Sequence, residues 1–222
     1  MPLAIISYDG TENDDDGLAL GKMLAPAGFD LALAYVRHAR EFDPAREELA
    51  QHDAEQRLER GATLLDDPQV GRHVVIGAST GARLGELAET EGASLVIFGS
   101  DYRTAPNHVE PGTSAQHLLD GGSVAVAIAC AGLRTRLNRP IAAVAVPVAG
   151  PVNDAARQTA RALAERLEAQ LTSPSEPVDL IVVGSAPGAQ PGHTAVGGDV
   201  REELSRARSS VLVLPADQPL LR

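Results

Sequence analysis

Aromatic residues and cysteine are scarce in this sequence. Of 222 residues, 3% are aromatic, none is tryptophan and one, Cys130, is cysteine. A single cysteine excludes an internal disulfide, which favours a reducing compartment. Its position at the end of an apolar run predicts a buried thiol rather than a nucleophile. The core must be built from Ala, Val, Leu and Ile, a composition typical of α/β packing.

Positive charge is also scarce. Lys22 is the only lysine, and 30 acidic residues against 19 basic ones give a formal net charge of -11. Such a chain repels phosphate backbones and anionic membranes, so we expect no nucleic-acid or membrane partner. No run of about 18 apolar residues is present to span a bilayer. The N-terminal MPLAIISYDG lacks the basic and long apolar regions of a signal peptide, so we expect a cytoplasmic protein.

Sequence motifs give little support for catalysis or metal binding. The sequence contains no G-x-x-x-x-G-K-[ST] phosphate loop and no H-E-x-x-H zinc motif. The segment Gly77-Ala78-Ser79-Thr80-Gly81 has the spacing G-x-S-x-G of a nucleophile elbow, but we interpret it as a short turn after the third strand. The six histidines show no metal-ligand spacing. The run Asp14, Asp15 and Asp16 fits a solvated helix start better than a metal cluster, because the helix dipole favours negative charge there. We therefore predict no catalytic residues and no metal site.

Strands and helices alternate through the first 132 residues. Short apolar runs predict strands at 3–10, 31–39, 73–79, 95–100 and 123–129. Helical patterns at 13–25, 41–65 and 83–93 separate the first four strands, and the second helix has Leu49 and Leu58 as apolar anchors. Strands that are apolar almost throughout indicate a parallel sheet with helices on both faces.

The pattern restarts after a polar connector. Strands are predicted at 140–150, 178–185 and 210–215, separated by helices at 153–171, with Asn153 as its cap, and 200–208. Gly112 comes thirteen residues after Gly99, and Gly197 comes thirteen residues after Gly184. We interpret this as an internal repeat, with a full domain at 1–132 and a shortened copy at 140–222 that lacks the counterpart of 31–79.

Four segments of the first domain occur in a distinctive order. They are SYDGT after the first strand, AYVRHA in the second, GARLGELAETEGASLVIFGS across the third helix and fourth strand, and a loop spaced as G-x2-G-x9-G-[ST] in which Tyr102 replaces the middle glycine. In these features the chain resembles the universal stress protein family. The resemblance implies an α/β fold with a doubly wound parallel sheet in the order 3-2-1-4-5. It also implies pairing of the fifth strands, here 123–129 with 210–215 inside one chain.

The resemblance further implies a site for an adenine nucleotide, ATP or AMP, with Mg²⁺ if the ligand is ATP. Asp9 and Val36 would face the adenosine, loop glycines would let backbone N–H groups approach phosphate, and Thr113 and Ser114 would add hydroxyl donors. The residues implied in this way are Asp9, Gly10, Val36, Gly99, Ser100, Tyr102, Gly112, Thr113 and Ser114.

Other features of the sequence oppose a ligand. Asp101 and Glu110 add negative charge to the loop. In the shortened copy, Pro147 lies near the position that matches Asp9, and the counterpart of the second strand is expected to be missing. We therefore expect no nucleotide there. We therefore consider three functions, with the best supported first: a non-catalytic stress protein with a regulatory nucleotide, a ligand-free scaffold of the same fold, and a weak adenine-nucleotide hydrolase. An open sheet edge at the first strand of the copy would allow a homodimer.

Overall fold

The computed structural model describes residues 1–147, 154–173 and 177–221, which form one sheet flanked by helices. The strands are β1 (Leu3–Ser7), β2 (Asp30–Arg37), β3 (Gly71–Ile76), β4 (Ala93–Phe98), β5 (Ala125–Ile128), β6 (Ala143–Ala145), β7 (Gln170–Thr172), β8 (Leu180–Gly184) and β9 (Ser210–Leu214). The helices are α1 (Glu12–Leu24), α2 (Pro44–Leu65), α3 (Thr80–Glu91), α4 (Thr113–Leu119), α5 (Asp154–Arg166) and α6 (Gly198–Arg206).

The strand order across the sheet is β3-β2-β1-β4-β5-β9-β8-β6-β7. We call β1–β5 with α1–α4 the first lobe and β6–β9 with α5 and α6 the second lobe. All pairings inside the first lobe are parallel, so the doubly wound fold and the order 3-2-1-4-5 are confirmed. The central strands are buried on both faces, as residues such as Ile5, Leu33 and Ile97 show with no exposed surface.

Local sequence signals set the ends of the helices. Asp43 caps α2 by accepting hydrogen bonds from the N–H groups of Ala45 and Arg46, and a proline follows at the first helical position. Ser79 caps α3 by accepting from the N–H of Ala82, and α3 ends at Gly92 in the left-handed conformation. These caps place α2 and α3 directly after the sheet edge at which β2 and β3 end.

The two lobes meet through an antiparallel strand pair. Val126 of β5 pairs with Val213 of β9, and Ile128 pairs with Val211. The paired strands lie in the segments 123–129 and 210–215, whose pairing the family resemblance implies. A side-chain bond reinforces the junction, because the N–H of Cys130 donates to Oγ of Ser210. The predicted burial of Cys130 is confirmed, and burial raises the pKa of its thiol.

The second lobe differs from its sequence prediction around Leu171. The helix predicted at 153–171 ends at Arg166 because Glu168 adopts a left-handed φ of 53°. Leu171 lies in β7, is 49% exposed, and pairs with Val144 of β6 in parallel. The predictions of no second strand and of an open edge at the first strand of this lobe are therefore wrong, since β7 covers that edge. Predicted features at 148–153, including the Asn153 cap, and at 174–176 lie outside the described residues.

Two predictions for the first lobe are also wrong. Leu49 does not anchor α2, because it is 60% exposed, whereas Leu58 is buried. The start of α1 is not simply solvated, because Asp16 is 1% exposed. Asp16 accepts hydrogen bonds from the N–H groups of Gly132 and Arg134 and from the Arg134 guanidinium, at 2.9, 2.7 and 3.0 Å. Asp16 thus ties α1 to the connector between the lobes.

Among the described residues, no cluster of three or more His, Cys, Asp or Glu side chains is arranged to hold a metal ion. In the same part of the chain, none of the helices has the length and apolar character that crossing a membrane requires.

The Asp16 contact generates a stability prediction. We expect Asp16→Asn to lower the free energy of unfolding by about 3 kcal/mol, because it places an amide N–H₂ against buried donors that need an acceptor. Glu12 binds the same Arg134 but is exposed, so Glu12→Gln should cost no more than about 0.5 kcal/mol. Urea denaturation of both variants measures the difference. Equal effects would show that Asp16 does not hold the connector.

Candidate functional site

A cavity of about 430 Å³ lies at the carboxyl ends of β1, β2 and β4. β1 is flanked by β2 on one side and by β4 on the other. The chain therefore leaves β1 and β4 in opposite directions, which opens a crevice at this end of the sheet. Ligands of doubly wound proteins bind at this position.

The structure brings most of the sequence-predicted site residues together around this cavity. The predicted residues that line it are Asp9, Val36, Gly99, Ser100, Tyr102, Gly112, Thr113 and Ser114. Gly10 does not line it. The φ of Gly10 is +90°, and its carbonyl accepts a hydrogen bond from the Arg60 guanidinium, so Gly10 serves the turn after β1.

Sequence reasoning missed a basic residue of the cavity, Arg57, which α2 supplies. The Arg57 guanidinium lies 5.5 Å from the centre of the Tyr35 ring and donates to the carbonyl oxygen of Asp9 at 2.7 Å. Arg60, one turn further along α2, donates to Asp15 at 3.1 Å. The signal available in the sequence was the spacing of these two arginines on one helix face. Together they fasten the end of β1 to α2.

Two carboxyl groups form a hydrogen-bonded pair in the cavity. Oδ2 of Asp14 accepts from the backbone N–H of Asp9 at 2.7 Å. Burial, and then the hydrogen bond and charge of Asp9, raise the pKa of Asp14 to about 8. Burial opposes ionisation of Asp9, but hydrogen bonds from Asp14 and Thr11 outweigh it and lower the pKa of Asp9. Near neutral pH the pair therefore carries one proton and one negative charge between its two carboxyl groups.

The loop after β4 closes through its own hydrogen bonds. Ser100 Oγ donates to the carbonyl of Ala129 at 2.7 Å and accepts from the N–H of Glu110. The N–H of Asp101 donates to the Glu110 carbonyl, and the N–H of Thr104 donates to the Asp101 carbonyl. The backbone N–H groups of Asp101 and Thr104 are therefore used inside the loop. By contrast, Gly112 at the start of α4 supplies no side-chain cap, and Gly112, Thr113 and Ser114 line the cavity.

Tyr102, which replaces the middle glycine of the family motif, does not fill the cavity. Its side chain is 68% exposed at the rim, and the Arg103 guanidinium lies 4.9 Å from the centre of its ring. Tyr102 is not one of the residues with a positive φ, so no backbone strain accompanies the replacement.

The motif glycines Gly99 and Gly112 differ in how closely other atoms approach them. A Cβ atom at Gly99 would collide with the carbonyl oxygen of Asn13, so Gly99 is required by the close approach of α1 to the end of β4. A Cβ atom at Gly112 would meet nothing within 4 Å. Packing therefore requires a glycine at position 99 but not at position 112.

The loop of the second lobe repeats the hydrogen bonds of the first. Ser185 Oγ donates to the Leu214 carbonyl at 2.7 Å and accepts from the N–H of Ala195 at 3.0 Å. The N–H of Ala186 donates to the Ala195 carbonyl. Each of these residues follows its counterpart in the first loop by the interval that separates Ser100 from Ser185. The two loops therefore share one backbone arrangement.

These features define an α/β protein with a doubly wound sheet and a cavity at its switch point. A universal stress protein from Archaeoglobus fulgidus DSM 4304 aligns with 96% of this chain and 98% of its own, with a TM-score of 0.69 and 13% sequence identity. A putative universal stress protein from Pseudomonas aeruginosa UCBPP-PA14 aligns with 98% of this chain and 94% of its own, with a TM-score of 0.58 and 16% identity. The chain thus has the fold of the universal stress proteins.

A functionally unknown protein from Pseudomonas aeruginosa PAO1 shares the fold as well. It aligns with 99% of this chain and 94% of its own, with a TM-score of 0.58 and 14% identity. The sequence itself matches no protein-family model and no curated protein.

The glycine geometry predicts unequal effects on stability. We expect Gly99→Ala to lower the free energy of unfolding by about 3 kcal/mol or more, because backbone atoms of α1 must move away. Gly112→Ala should change it by less than about 0.5 kcal/mol, because the new methyl group meets open space. Thermal and urea denaturation without any nucleotide measure both values. A tolerated Gly99→Ala would contradict the proposed packing reason.

The carboxyl pair predicts a pH dependence of stability. The pKa of Asp14 is raised in the folded state, so folding binds a proton between about pH 4 and pH 8. The resulting stabilisation of the folded state is fully present below the pKa that Asp14 has in the unfolded chain. It is lost as the pH rises towards 8. We expect wild type to lose about 1 to 2 kcal/mol more than Asp14→Asn between pH 5.5 and pH 8.5. Urea denaturation at the two pH values measures this. Parallel changes in both proteins would contradict the shared proton.

Proposed function

We propose that this chain is a non-catalytic protein of the universal stress type whose first lobe binds an adenine nucleotide, AMP or ATP, as a regulatory ligand. The observation that carries the proposal is the cavity at the switch point, lined by eight of the nine residues that the family resemblance implies. They come from β1, β2, β4 and the start of α4, so they meet only in the folded chain.

The lining residues favour separate places for the adenosine and for the phosphate. Asp9 and Val36 lie at the ends of β1 and β2, where the adenosine would sit. Thr113 and Ser114 lie at the start of α4, where hydroxyl and backbone N–H donors suit a phosphate. Because the N–H groups of Asp101 and Thr104 are used inside the loop, fewer donors remain for a second and third phosphate. This favours AMP over ATP, and ATP would enter with Mg²⁺.

We propose a structural role for the second lobe. Its loop hydrogen bonds match those of the first lobe, and β7 lies beside β6 as β2 lies beside β1. Residues 140–222 would then be a shortened copy of the domain at 1–132, without counterparts of α2, β3 and α3. Its task would be to cover β5 with β9. We propose the cytoplasm as the location, on the basis of the single, unpaired cysteine.

A ligand-free scaffold is the second candidate. The acidic groups Asp9 and Asp101 both line the cavity, and the loop that would hold phosphate is closed by its own hydrogen bonds. Both observations would suit a protein that keeps the fold and has lost the ligand. Hydrolysis of a nucleotide stays a third and weaker proposal.

Nucleotide binding predicts a thermal shift that depends on Gly112. We expect AMP or Mg-ATP to raise the melting temperature of wild type, because a ligand of the folded state stabilises it. Gly112→Val should abolish this shift without changing the melting temperature of the free protein, since its side chain enters ligand space only. Gly198→Val is the matched control, because Gly198 also starts a helix and is also open.

Two outcomes separate the candidates. Nucleotide released from the denatured wild-type protein, identified by mass spectrometry, together with the Gly112-dependent shift, would support binding. No released nucleotide and no shift with AMP or Mg-ATP would favour the scaffold. A shift that persists in Gly112→Val would place the ligand elsewhere.

A further inference from the structure

The side chain of Asp14 lies in the wall of the cavity at the switch point, beside that of Asp9. The family resemblance implies Asp9 for this site but not Asp14, for which the sequence predicts only a solvated helix start. Asp14 lies in the first turn of α1, and its Oδ2 accepts from the backbone N–H of Asp9 at 2.7 Å. The two side chains are also hydrogen-bonded to each other. Asp14 is therefore placed to decide how Asp9 faces a ligand.

A single proton holds this pair of carboxyl groups together. A hydrogen bond between two carboxyl groups needs one proton, because two carboxylates offer only acceptors. Asp9 is also held by its neighbours, since its Oδ1 accepts from the N–H of Thr11 at 3.0 Å and its carbonyl oxygen accepts from the Arg57 guanidinium at 2.7 Å. When the proton leaves, two like charges remain in contact and the bond between the side chains is lost.

Little positive charge surrounds the pair in the part of the chain that the structure describes. The ionisable groups near it are Tyr8 after β1, Asp15 on α1, His38 after β2, Arg57 and Arg60 on α2, and Asp101 after β4. Asp15 already accepts hydrogen bonds from the Tyr8 hydroxyl and from Arg60, which leaves Arg57 as the nearest guanidinium. Burial, and then the hydrogen bond and charge of Asp9, accordingly raise the pKa of Asp14 to about 8.

A nucleotide in this cavity would make a second negative charge on the pair more costly. It would cover the two carboxyl groups from water and bring a phosphate of the same sign into the cavity. Both effects favour the protonated pair over the doubly charged one. Binding of the nucleotide would then take up a proton. By linkage, the affinity is full below the pKa of the free pair and falls as the pH rises through it.

We propose that Asp14 is a positioning residue of the nucleotide cavity, which acts through Asp9 and couples nucleotide binding to the one proton that the two carboxyl groups hold. Near neutral pH, Asp14 keeps the side chain and the backbone N–H of Asp9 in one arrangement, and the nucleotide binds. At alkaline pH the pair loses its proton, and the nucleotide is released. The inference rests on the proposed nucleotide site and adds to it a residue outside the family motif.

Calorimetric titration with AMP at pH 7.5 and pH 9 tests the coupling. This range lies above the ordinary titration ranges of imidazole and of a phosphate monoester, so the ligand keeps its charge. We expect the affinity of wild type to fall about fourfold or more between the two pH values. Titrations at pH 8 in two buffers of different ionisation enthalpy should show a net uptake of protons by wild type.

Two substitutions of Asp14 separate its charge from its position. Asp14→Asn keeps a neutral group, a donor for the Asp9 carboxylate and an acceptor for the Asp9 N–H, so its affinity for AMP should not fall between pH 7.5 and pH 9. Asp14→Ala keeps none of these, and we expect it to bind AMP about fivefold more weakly than Asp14→Asn at pH 7.5. Glu12→Gln is the control for general charge, because Glu12 is exposed on the same helix outside the lining, and it should keep the pH dependence of wild type.

The outcomes distinguish this inference from the proposed function. Equal affinity of wild type at both pH values, or a decrease that Asp14→Asn retains, would overturn the coupling while the nucleotide site stands. Equal affinity of Asp14→Ala and Asp14→Asn would overturn the positioning role. Wild type that binds no AMP at either pH would refute the nucleotide site itself, and this inference with it.

Discussion

The antiparallel contact between β5 and β9 is the interaction on which the molecule depends. Both strands are buried along their whole length, so an unpaired edge on either would leave backbone N–H and C=O groups without partners in an apolar setting. Pairing them satisfies those groups and joins two parallel sheets into one. The reversal of direction at this contact also turns the second lobe so that α6 faces α4. A cavity at the junction of the lobes is a direct consequence of that turn.

The cavity at the strand ends has a different origin, because it follows from the winding of a parallel sheet. β1 is flanked by β2 and β4, and the chain leaves the sheet in opposite directions on either side. Close packing then limits what the loops there can do. Gly99 lets α1 approach the end of β4, and Asp16 on the same helix holds the connector that leads to the second lobe. One helix therefore supports both the proposed nucleotide site and the junction of the lobes.

The cavity at the strand ends differs in character from the cavity of about 470 Å³ at the junction of the lobes, although the loop after β4 and α4 border both. The first is lined by charged and hydroxyl groups, including the proton-sharing pair Asp9 and Asp14. The second combines buried aliphatic side chains such as Leu119 and Leu204 with polar groups such as Gln116 and Arg201. This contrast arises because one side of the loop faces the strand ends and the other faces a second helix. Helix faces that pack together must be apolar, whereas strand ends at a crevice are free to be polar.

The sequence by itself located the strands of the first lobe, and its resemblance to the universal stress proteins implied their order and a set of candidate site residues. Apolar runs and their spacing locate β1 to β5 because a buried parallel strand has a composition that few other structures share. The resemblance implied the candidate positions Asp9, Gly99 and Gly112, and the structure places them after two strand ends and before a helix start. The end of α5 and the strand β7 could not be read, because a left-handed Glu168 and a half-exposed Leu171 leave no pattern. The burial of Asp16, the raised pKa of Asp14 and the hydrogen bonds of Arg57 and Arg60 to the end of β1 could not be predicted either. Each of these depends on groups far apart in the chain, whose distances only the tertiary structure decides.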